Sequence, residues 1–553
     1  MNTAMPVGVE DFAEIRGNYY WVDKTAVISA FLQDHKKVTL FTRPRRFGKT
    51  LMMSMLRYFF DIEGAEEHRR LFAGLEVAQD AEAMAQQGTR PVLFLTLKGW
   101  NGLSWDVMQV RVRERLGALF NAYDFLLDDE LSAWEQDNFQ DVLRNTLPFA
   151  SLSSSLSFLM QLLEKHYGRK VVLLLDEYDV PIQSAWEHGY YDEAIDFFRD
   201  FFSSSLKTNS ALDFAVLTGV LRIAKESIFS SLNNLKVDSV PQLKYPEAFG
   251  FTQTEVERMA RDFGREDKLP EIRQWYDGYR FASHEIYNPW SVVNYFDNGC
   301  KPRTYWVNTS GNAILGEMLR HSRSRVMDKL AQVLQGGSLI SRVREGFIYS
   351  EIYKNEAALY TMLVTTGYLT TKSVTETDLG MQVELILPNR ELRSLYRIEI
   401  LERYHSDEMD MEVDELMRAF IEDDIETVRV GLGQYLEVLT SSFDTAKGKE
   451  SFYHGLVLGL VATLLDEYII RSNRESGYGR YDIAVFPKQI GKCGMLIECK
   501  VAESEEALAA QAQAALHQIE TRDYEAEFRA RGVGQVLHYG IAFCGKRVCV
   551  LLK

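Results

Sequence analysis

The chain has 553 residues, of which 46% are hydrophobic and 25% are charged, a composition typical of globular proteins that excludes a long disordered chain. This length exceeds what one hydrophobic core can serve, so roughly two to four domains are expected. The net charge of −17 argues against a surface coated for non-specific nucleic-acid binding, although a local basic groove remains compatible with it.

Targeting and cysteine signals point to the cytoplasm. The N-terminus lacks a basic start followed by an apolar core, and the apolar stretch GLVLGLVATLL near the end is too short to span a bilayer. Five cysteines, an odd number, fit reduced thiols. Four of them lie in the strand-like runs KCGMLIECK and IAFCGKRVCVLL, which favours buried strand positions over a zinc site. We therefore expect a cytoplasmic protein with no membrane segment.

The first 235 residues alternate strand-like and helix-like segments. Four runs rich in Val, Leu and Phe are interpreted as strands, namely VTLFT (38–42), PVLFLTL (91–97), VVLLLDEYD (171–179) and FAVLTGV (214–220). Continuous apolar strands separated by amphipathic helices are typical of a parallel sheet that is covered on both faces. This part of the chain is therefore predicted to be an α/β domain.

The turn after the first of these strands has the layout of a P-loop. An apolar run is followed by a polar turn, by Gly48-Lys49-Thr50 and then by an apolar helical pattern. In such a loop Gly48 lets the backbone approach phosphate, Lys49 neutralises β- and γ-phosphate charge, and Thr50 offers its hydroxyl to Mg²⁺. The alternative is a basic turn that carries the tripeptide GKT by chance.

The loop departs from the usual G-x-x-x-x-G-K-[ST] pattern, since Arg43 stands where the first glycine belongs. An arginine cannot adopt the positive φ angles of glycine cheaply. The loop is therefore expected either to bend differently or to use the Arg43 side chain on the nucleotide. We expect Arg43 and Arg46 to bind the nucleotide, the alternative being that these arginines shape the turn.

A second nucleotide signal ends the third strand-like run. Asp176 and Glu177 close a strongly apolar strand, which is the Walker B pattern. Asp176 is expected to hold Mg²⁺ and Glu177 to orient or activate the attacking water. The alternative is a strand followed by an acidic helix cap. Thr218, at the tip of the fourth run, is expected to sense the γ-phosphate unless it is an ordinary turn threonine.

Six motifs together resemble one family, the bacterial AAA-ATPase-like proteins. They are YYWVDKT (19–25), RPRRFGKT (43–50), LLLDEYDVPI (173–182), TGVLRIAKESIFSSLNNL (218–235), YNPWSVVNY (287–295) and TGYLT (366–370). In that family the glycine-poor RPRRFGK[ST] loop is itself the signature, so Arg43 departs from the general P-loop but not from the family. The resemblance implies ATP and Mg²⁺ as cofactors, and a contact of YWVDKT with the nucleotide base, whose alternative role is packing.

The C-terminal region carries a separate set of polar residues. Asp482 is expected to start a strand, and Glu498 and Lys500 lie two apart in the next strand, hence on one face. This is the D…E-x-K arrangement of the PD-(D/E)XK nucleases, in which the two carboxylates bind Mg²⁺ and the lysine positions or deprotonates water. Gln518 on the following helix and Glu475 before the first strand are further candidates. The alternative is an E-x-K ion pair on an exposed strand.

These observations give an α/β protein of four parts. The predicted boundaries are a P-loop domain over 1–238, a helical, winged-helix-like region over 239–405, a helical connector over 406–449 and a PD-(D/E)XK-like α/β domain over 450–553. The predicted function is ATP hydrolysis coupled to cleavage of DNA or RNA. Two alternatives stay open: a nucleotide-gated switch whose C-terminal domain binds a partner without cleavage, and a structural protein with relic motifs. A homo-oligomer is compatible with the sequence, which does not fix the oligomeric state.

Overall fold

A computed structural model gives the fold of the chain. The described residues are 4–207, 209–223, 228–229, 234–240, 244–306, 324–334, 336–343, 349–352, 355–378, 380–396, 413–442, 450–461, 464, 467–476, 479–489 and 491–553. The chain divides into two compact units, Met1–Trp306 with Ile340–Glu391 and Val307–Leu339 with Leu392–Lys553.

Strands and helices are numbered here in chain order. The strands are β1 Val38–Thr42, β2 Val92–Thr96, β3 Val171–Asp176, β4 Leu212–Gly219, β5 Leu235–Ser239, β6 Tyr279–Phe281, β7 His284–Ile286, β8 Leu339–Arg342, β9 Thr370–Thr377, β10 Gly380–Ile386, β11 Tyr468–Ser476, β12 Gly479–Pro487, β13 Gly494–Val501, β14 Val536–Cys544 and β15 Arg547–Leu552. The α-helices are α1 Phe12–Asn18, α2 Ala26–Asp34, α3 Lys49–Phe60, α4 Ala65–Leu71, α5 Ala81–Met84, α6 Trp105–Asn121, α7 Ala133–Leu143, α8 Ser155–Tyr167, α9 Val180–Glu187, α10 Tyr191–Leu206, α11 Gln253–Asp262, α12 Leu269–Tyr276, α13 Pro289–Asp297, α14 Ser324–Leu334, α15 Glu356–Thr365, α16 Val413–Ile421, α17 Ile425–Ser442, α18 Glu450–Val461, α19 Leu508–Thr521 and α20 Ala526–Ala530.

The first unit is built on a parallel sheet of five strands in the order β2-β3-β4-β1-β5. Strands β1 and β3 are buried along their whole length, as expected of a parallel sheet with both faces covered. The order places β4 between β1 and β3, and Phe41 of β1 pairs with Thr218 of β4. The carboxyl ends of β1, β3 and β4 therefore meet at one edge, which is where parallel α/β sheets bind ligands.

Helix α3 begins directly after the loop that follows β1. Gly48 precedes it with φ of 84°, a left-handed conformation that glycine adopts without steric cost. The residues that α3 buries recur at spacings of three and four, which is the period of one helix face. They are Lys49, Met52, Met53, Met55, Leu56, Phe59 and Phe60.

The rest of the first unit is mainly helical, with small antiparallel elements. Strands β6 and β7 form a two-stranded hairpin, and β8, β10 and β9 form a three-stranded sheet. Helices α11, α12 and α13 pack around a core rich in aromatic residues, so the Tyr- and Trp-rich turns of this region serve packing. The helical middle of the chain is thus as the sequence predicts.

The second unit contains a mixed sheet in the order β11-β12-β13-β14-β15. Strands β13 and β14 are parallel and the other neighbours are antiparallel. Helix α19 joins the two parallel strands and packs on them. Along β12, Ile483 and Val485 belong to one apolar cluster, whereas Ala484 and Phe486 belong to another cluster that includes Leu516 of α19. The sheet is therefore covered on both faces.

The fold class expected from the sequence is confirmed: a five-stranded parallel sheet, a helical middle and a C-terminal mixed sheet. Strands β5 and β11 are among those that the sequence did not predict, because neither forms a continuous apolar run. In the described part of the chain, no helix is both long enough and apolar enough to cross a membrane. The four-part domain boundaries stay a prediction.

Candidate functional site

Lys49 lies at the start of α3 and points back into the loop. Its Nζ donates to the carbonyl oxygens of Arg43 and Pro44 at 3.1 and 3.0 Å, so the ammonium group crosses the turn. Burial lowers the pKa of Lys49 to about 8, and the nearby carboxylates Asp179 and Asp176 only partly offset this effect. A cation held at the mouth of a helix N-terminus is suited to receive an anionic phosphate.

Asp176, Thr50 and Thr218 form one hydrogen-bonded group where β3, β4 and α3 meet. The Thr50 hydroxyl donates to Asp176 Oδ2 at 2.8 Å, and the Thr218 hydroxyl donates to Asp176 Oδ1. Asp176 and Thr218 are fully buried. The structure thus brings these three sequence-predicted residues together, and each Asp176 oxygen has a fixed hydroxyl partner.

Glu177 follows with φ of 54°, a left-handed conformation that is unusual outside glycine. Its backbone N–H faces the Thr218 hydroxyl at 3.4 Å. Burial, together with the charge of Asp176, raises the pKa of Glu177. Strained backbone of this kind is concentrated at functional sites, and here it falls directly after Asp176, the last residue of β3.

Asp179 belongs to the same site, although the sequence analysis did not single it out. Its Oδ2 accepts from the backbone N–H groups of Val220 and Leu221 at 2.9 and 2.8 Å, which ties the segment after β3 to the segment after β4. Burial raises the pKa of Asp179. Its position within LLLDEYD was visible in the sequence, but its partners lie more than forty residues away.

Arg43 is placed differently from the expectation that it contacts nucleotide. Its guanidinium is fully buried and forms an ion pair with Asp238 of β5 at 2.5 Å, while Nη1 and Nη2 also donate to backbone carbonyls including that of Tyr245. The same group lies 4.7 Å from the ring centroid of Phe249. No Arg43 atom is left exposed for phosphate, so we correct that expectation: Arg43 fastens the loop to β5.

The bend of the loop falls at Arg46 rather than at Arg43. Arg46 has φ of 67° and an exposed side chain, whose Cζ lies 4.2 Å from the ring centroid of Trp290. Of the two possibilities that the missing glycine leaves open, the structure therefore takes the different bend. In the YWVDKT segment the Tyr20 ring lies against Phe263 and the Trp21 ring against Phe12, so these two residues have the packing role, and a contact of the segment with the nucleotide base stays a prediction.

The C-terminal candidates converge on the sheet of the second unit. The Asp482 backbone N–H faces Glu498 Oε2 at 3.3 Å, and Asp482 Oδ2 accepts from the Cys499 N–H at 2.8 Å. Asp482 lies inside β12 rather than at its start, because the strand begins three residues earlier. Glu498 is only 2% exposed; burial and the charge of Asp482 raise its pKa to about 8.

Lys500 and Gln518 complete this cluster. Lys500 Nζ lies 3.5 Å from Glu498 Oε1, as the period of two along β13 predicts. Gln518 of α19 donates through Nε2 to the same Glu498 oxygen, because α19 covers the face on which Glu498 lies. Gln518 Nε2 also lies 3.3 Å from the hydroxyl of Tyr524, a buried residue that the sequence analysis missed.

A further metal site would need His, Cys, Asp or Glu side chains grouped together among the described residues. Within those ranges no group of three or more His, Cys, Asp or Glu side chains is arranged to hold a metal ion. The five cysteines are free thiols, and Cys499 is buried in β13 as a strand residue. The side chain of Glu475 lies outside the described part of the structure.

The two polar clusters fall in two stretches that match known families. Residues 6–229 match the AAA-ATPase-like family, described as a predicted AAA-ATPase, and residues 448–551 match the PD-(D/E)XK nuclease superfamily. A similar protein from Azotobacter chroococcum mcd 1, described as an uncharacterized protein in the vnfD 5' region, is 27% identical over 542 residues. The similarity covers 96% of this chain and 94% of the relative.

Proposed function

We propose that this chain, which carries an AAA-ATPase-like domain and a PD-(D/E)XK nuclease superfamily domain, hydrolyses ATP at the first cluster and phosphodiester bonds of nucleic acid at the second. The observation that carries the first activity is the hydrogen-bonded group of Thr50, Asp176 and Thr218 at the end of the sheet where Lys49 begins α3. The second activity rests on the contacts that Asp482, Lys500 and Gln518 make with Glu498.

The donors of the first cluster fit Mg²⁺, which prefers carboxylate and hydroxyl oxygens. Thr50 and Asp176 already share a hydrogen bond of 2.8 Å, so both oxygens would face one ion. When bound, Mg²⁺ supplies positive charge to the phosphate oxygens. Lys49 would leave the two loop carbonyls to bind phosphate, and Gly48 would admit the phosphate to the helix N-terminus.

Hydrolysis at the first cluster assigns separate tasks to the remaining residues. Glu177, which follows Asp176 with a left-handed backbone, would orient the attacking water. Thr218 holds Asp176 from β4 and would report the presence of the γ-phosphate to that strand. Arg46 has an exposed guanidinium on the loop and would add a phosphate contact.

The second cluster also fits a divalent cation. Two carboxylates meet at one place, and a bound cation would offset the burial and the charge of Asp482 that together raise the pKa of Glu498. When bound, Mg²⁺ supplies charge to the phosphodiester oxygens. Lys500 would position the water whose oxygen forms the new bond to phosphorus while the bond to one ester oxygen breaks, leaving a phosphate monoester and a hydroxyl. Gln518 would keep Glu498 oriented through this step.

Nucleotide binding is tested with fluorescent ATP and Mg²⁺ on the full chain. Lys49→Ala is expected to weaken binding by about a hundredfold, since it removes the cation of the site. Lys36→Ala, at an exposed position before β1, is the matched control and is expected to bind as the unmodified chain does. Failure of the unmodified chain to bind, or equal binding by Lys49→Ala, would reject the nucleotide site.

Cleavage is tested on single- and double-stranded DNA and RNA with Mg²⁺, with and without ATP. Lys500→Ala is expected to abolish cleavage, whereas Lys546→Ala at an exposed position of the same domain leaves it unchanged. Cleavage that survives Lys500→Ala would point to a contaminating nuclease, and the absence of cleavage on every substrate would reject the nuclease assignment.

A second candidate is a nucleotide-gated switch whose C-terminal domain binds a partner without cutting. One observation favours it: at neutral pH the raised pKa keeps Glu498 mostly protonated, which weakens it as a metal ligand. The switch predicts ATP binding that responds to Lys49→Ala together with no cleavage at any pH between 7 and 9. Cleavage that appears as the pH rises through about 8 favours the nuclease.

A further inference from the structure

The phosphate loop has an unfavourable backbone conformation at its bend. A non-glycine residue in the left-handed region costs about 1 kcal/mol or more, and Arg46 adopts φ of 67° there. A glycine would take this conformation freely, but the loop has none between Arg43 and Phe47. Contacts from elsewhere in the chain must therefore hold the bend.

Two tryptophans of the middle region make such contacts. The Arg46 guanidinium lies over the Trp290 ring with 4.2 Å between Cζ and the ring centroid, within range of a cation–π interaction. Trp306 Nε1 donates to the carbonyl oxygen of Arg45 at 3.2 Å, one residue before the bend. One tryptophan thus holds the side chain at the bend, and the other holds the backbone next to it.

Both tryptophans are themselves fixed by hydrogen bonds. Trp290 Nε1 donates to the carbonyl oxygen of Tyr305 at 3.2 Å. The backbone N–H of Trp306 donates to Glu391 at 2.7 Å, and Ser291, the neighbour of Trp290, donates to the same buried carboxylate at 2.8 Å. Glu391 therefore connects, through one hydrogen bond to each, the segment of Trp290 and the segment of Trp306.

A third contact seats the start of the loop. Gly367 has φ of 89°, and a Cβ at this position would lie 2.9 Å from Pro44 Cβ, so the Gly367 backbone lies against the Pro44 ring only because residue 367 is glycine. The adjacent Tyr368 ring packs edge-on against Trp306 at 5.2 Å. Residues that are far away in sequence thus contact the loop at Pro44, Arg45 and Arg46.

From these contacts we infer that Trp290 and Trp306 are positioning residues of the nucleotide site, which hold the left-handed bend of the phosphate loop at Arg46, a position without glycine. The inference rests on the proposed nucleotide function. It adds a role for residues that lie outside both matched stretches, 6–229 and 448–551. The tryptophans act through Arg45 and Arg46 rather than by touching nucleotide.

The test measures the Kd for fluorescent ATP with Mg²⁺ in three variants of the full chain. Trp290→Ala and Trp306→Phe are each expected to raise the Kd about fivefold, the equivalent of roughly 1 kcal/mol of lost support. Trp134→Ala, which removes an exposed tryptophan of the same unit, is the matched control and should not change the Kd. Circular dichroism of each variant reports whether the fold is retained.

A rescue separates support of the bend from general packing. Arg46→Gly combined with Trp290→Ala is expected to bind ATP about fivefold more tightly than Arg46→Ala combined with Trp290→Ala, because both lack the guanidinium and only glycine adopts the bend freely. Equal affinity of these two double variants would overturn the inference. So would an unchanged Kd for both tryptophan variants when Lys49→Ala abolishes binding, whereas no binding by the unmodified chain would reject the nucleotide function itself.

Discussion

The two polar clusters bury side chains of opposite charge type, and the pKa values of those side chains shift in opposite directions. The first is organised around a buried cation, Lys49, whose pKa falls to about 8; the second is organised around a buried acid, Glu498, whose pKa rises to about 8. Burial is the largest cause in both, since it disfavours whichever form is charged. Near pH 8 each site is thus poised between charged and neutral forms, and its ligand of opposite charge would draw it to the charged form.

The clusters also differ in how their acids are held. Asp176 accepts from two threonine hydroxyls on different elements, so its oxygens are oriented before any ligand arrives. Glu498 has the Asp482 backbone N–H at 3.3 Å and the Lys500 ammonium group at 3.5 Å, and it accepts from the Gln518 amide, which is shared with the hydroxyl of Tyr524. The acid of the first cluster is therefore oriented by direct hydrogen bonds from two hydroxyl groups. The orientation of Glu498 depends in part on Gln518, which also contacts Tyr524.

The largest expected effect concerns Arg43. This arginine is a structural cation that fastens the loop, in contrast to Lys49, the cation proposed to bind phosphate. Asp238→Asn is expected to lower the free energy of unfolding by about 3–5 kcal/mol, because it leaves the buried guanidinium without a counter-charge. Chemical denaturation measures this loss. Asp196→Asn, which breaks an exposed pair with Arg199, is the control and should cost less than about 1 kcal/mol. A loss for Asp238→Asn no larger than that of the control would contradict the structural role assigned to Arg43.

The affinity for ATP should fall with rising pH. The free chain loses the Lys49 proton as the pH passes about 8, while bound phosphate retains it, so the Kd is expected to rise by up to about tenfold per pH unit above 8. Titrations with fluorescent ATP between pH 7.5 and 9.5 measure this slope. Lys49→Arg stays charged throughout this range, so its Kd, whatever its absolute value, should be flat. A flat profile for the unmodified chain would contradict the assigned role of Lys49.

The affinity of the second cluster for Mg²⁺ should change in the opposite direction. The metal binds the ionised form of Glu498 and releases its proton, so affinity is expected to rise by up to about tenfold per pH unit until pH 8 and then level off. Calorimetry in an Asp176→Asn background confines the signal to this cluster. Glu498→Gln cannot ionise and should show weak binding with no slope. Profiles that rise or fall together at both clusters would remove the electrostatic contrast between them.

Much of the fold and of the two clusters follows from short patterns. The apolar runs locate β1, β3, β12 and β13, and the spacing of Glu498 and Lys500 gives their shared face. These signals are local, since each depends on residues within one strand or one turn. Gln518 is predicted through the resemblance to the nuclease superfamily, in which a glutamine on the following helix is common, and the structure places it against Glu498.

The features that could not be predicted from the sequence are contacts between residues that are far apart in the chain. Arg43 pairs with a residue 195 positions away, and Trp306 meets Arg45 across 261 positions. A basic loop carries no sign of which of its arginines turns inward, because that depends on the position of β5, a strand with no continuous apolar run. Nothing near Trp290 and Trp306 in the sequence indicates that these tryptophans contact the loop, because the contacts form only in the folded chain.

The smallest expected effect tests the chain of contacts in the second cluster. Tyr524→Phe removes the hydroxyl next to Gln518 Nε2 but keeps the buried ring, so Gln518 loses a neutral hydrogen bond that is worth roughly 1 kcal/mol. We expect cleavage to slow about threefold with an unchanged substrate KM. Tyr539→Phe is the matched control, since it removes a hydrogen bond to the Phe420 carbonyl in the same unit and contacts none of the clustered residues named above. Equal rates for Tyr524→Phe and the unmodified chain would mean that Gln518 is held by Glu498 alone. Glu498 would then be oriented by its direct partners only, as Asp176 is in the first cluster.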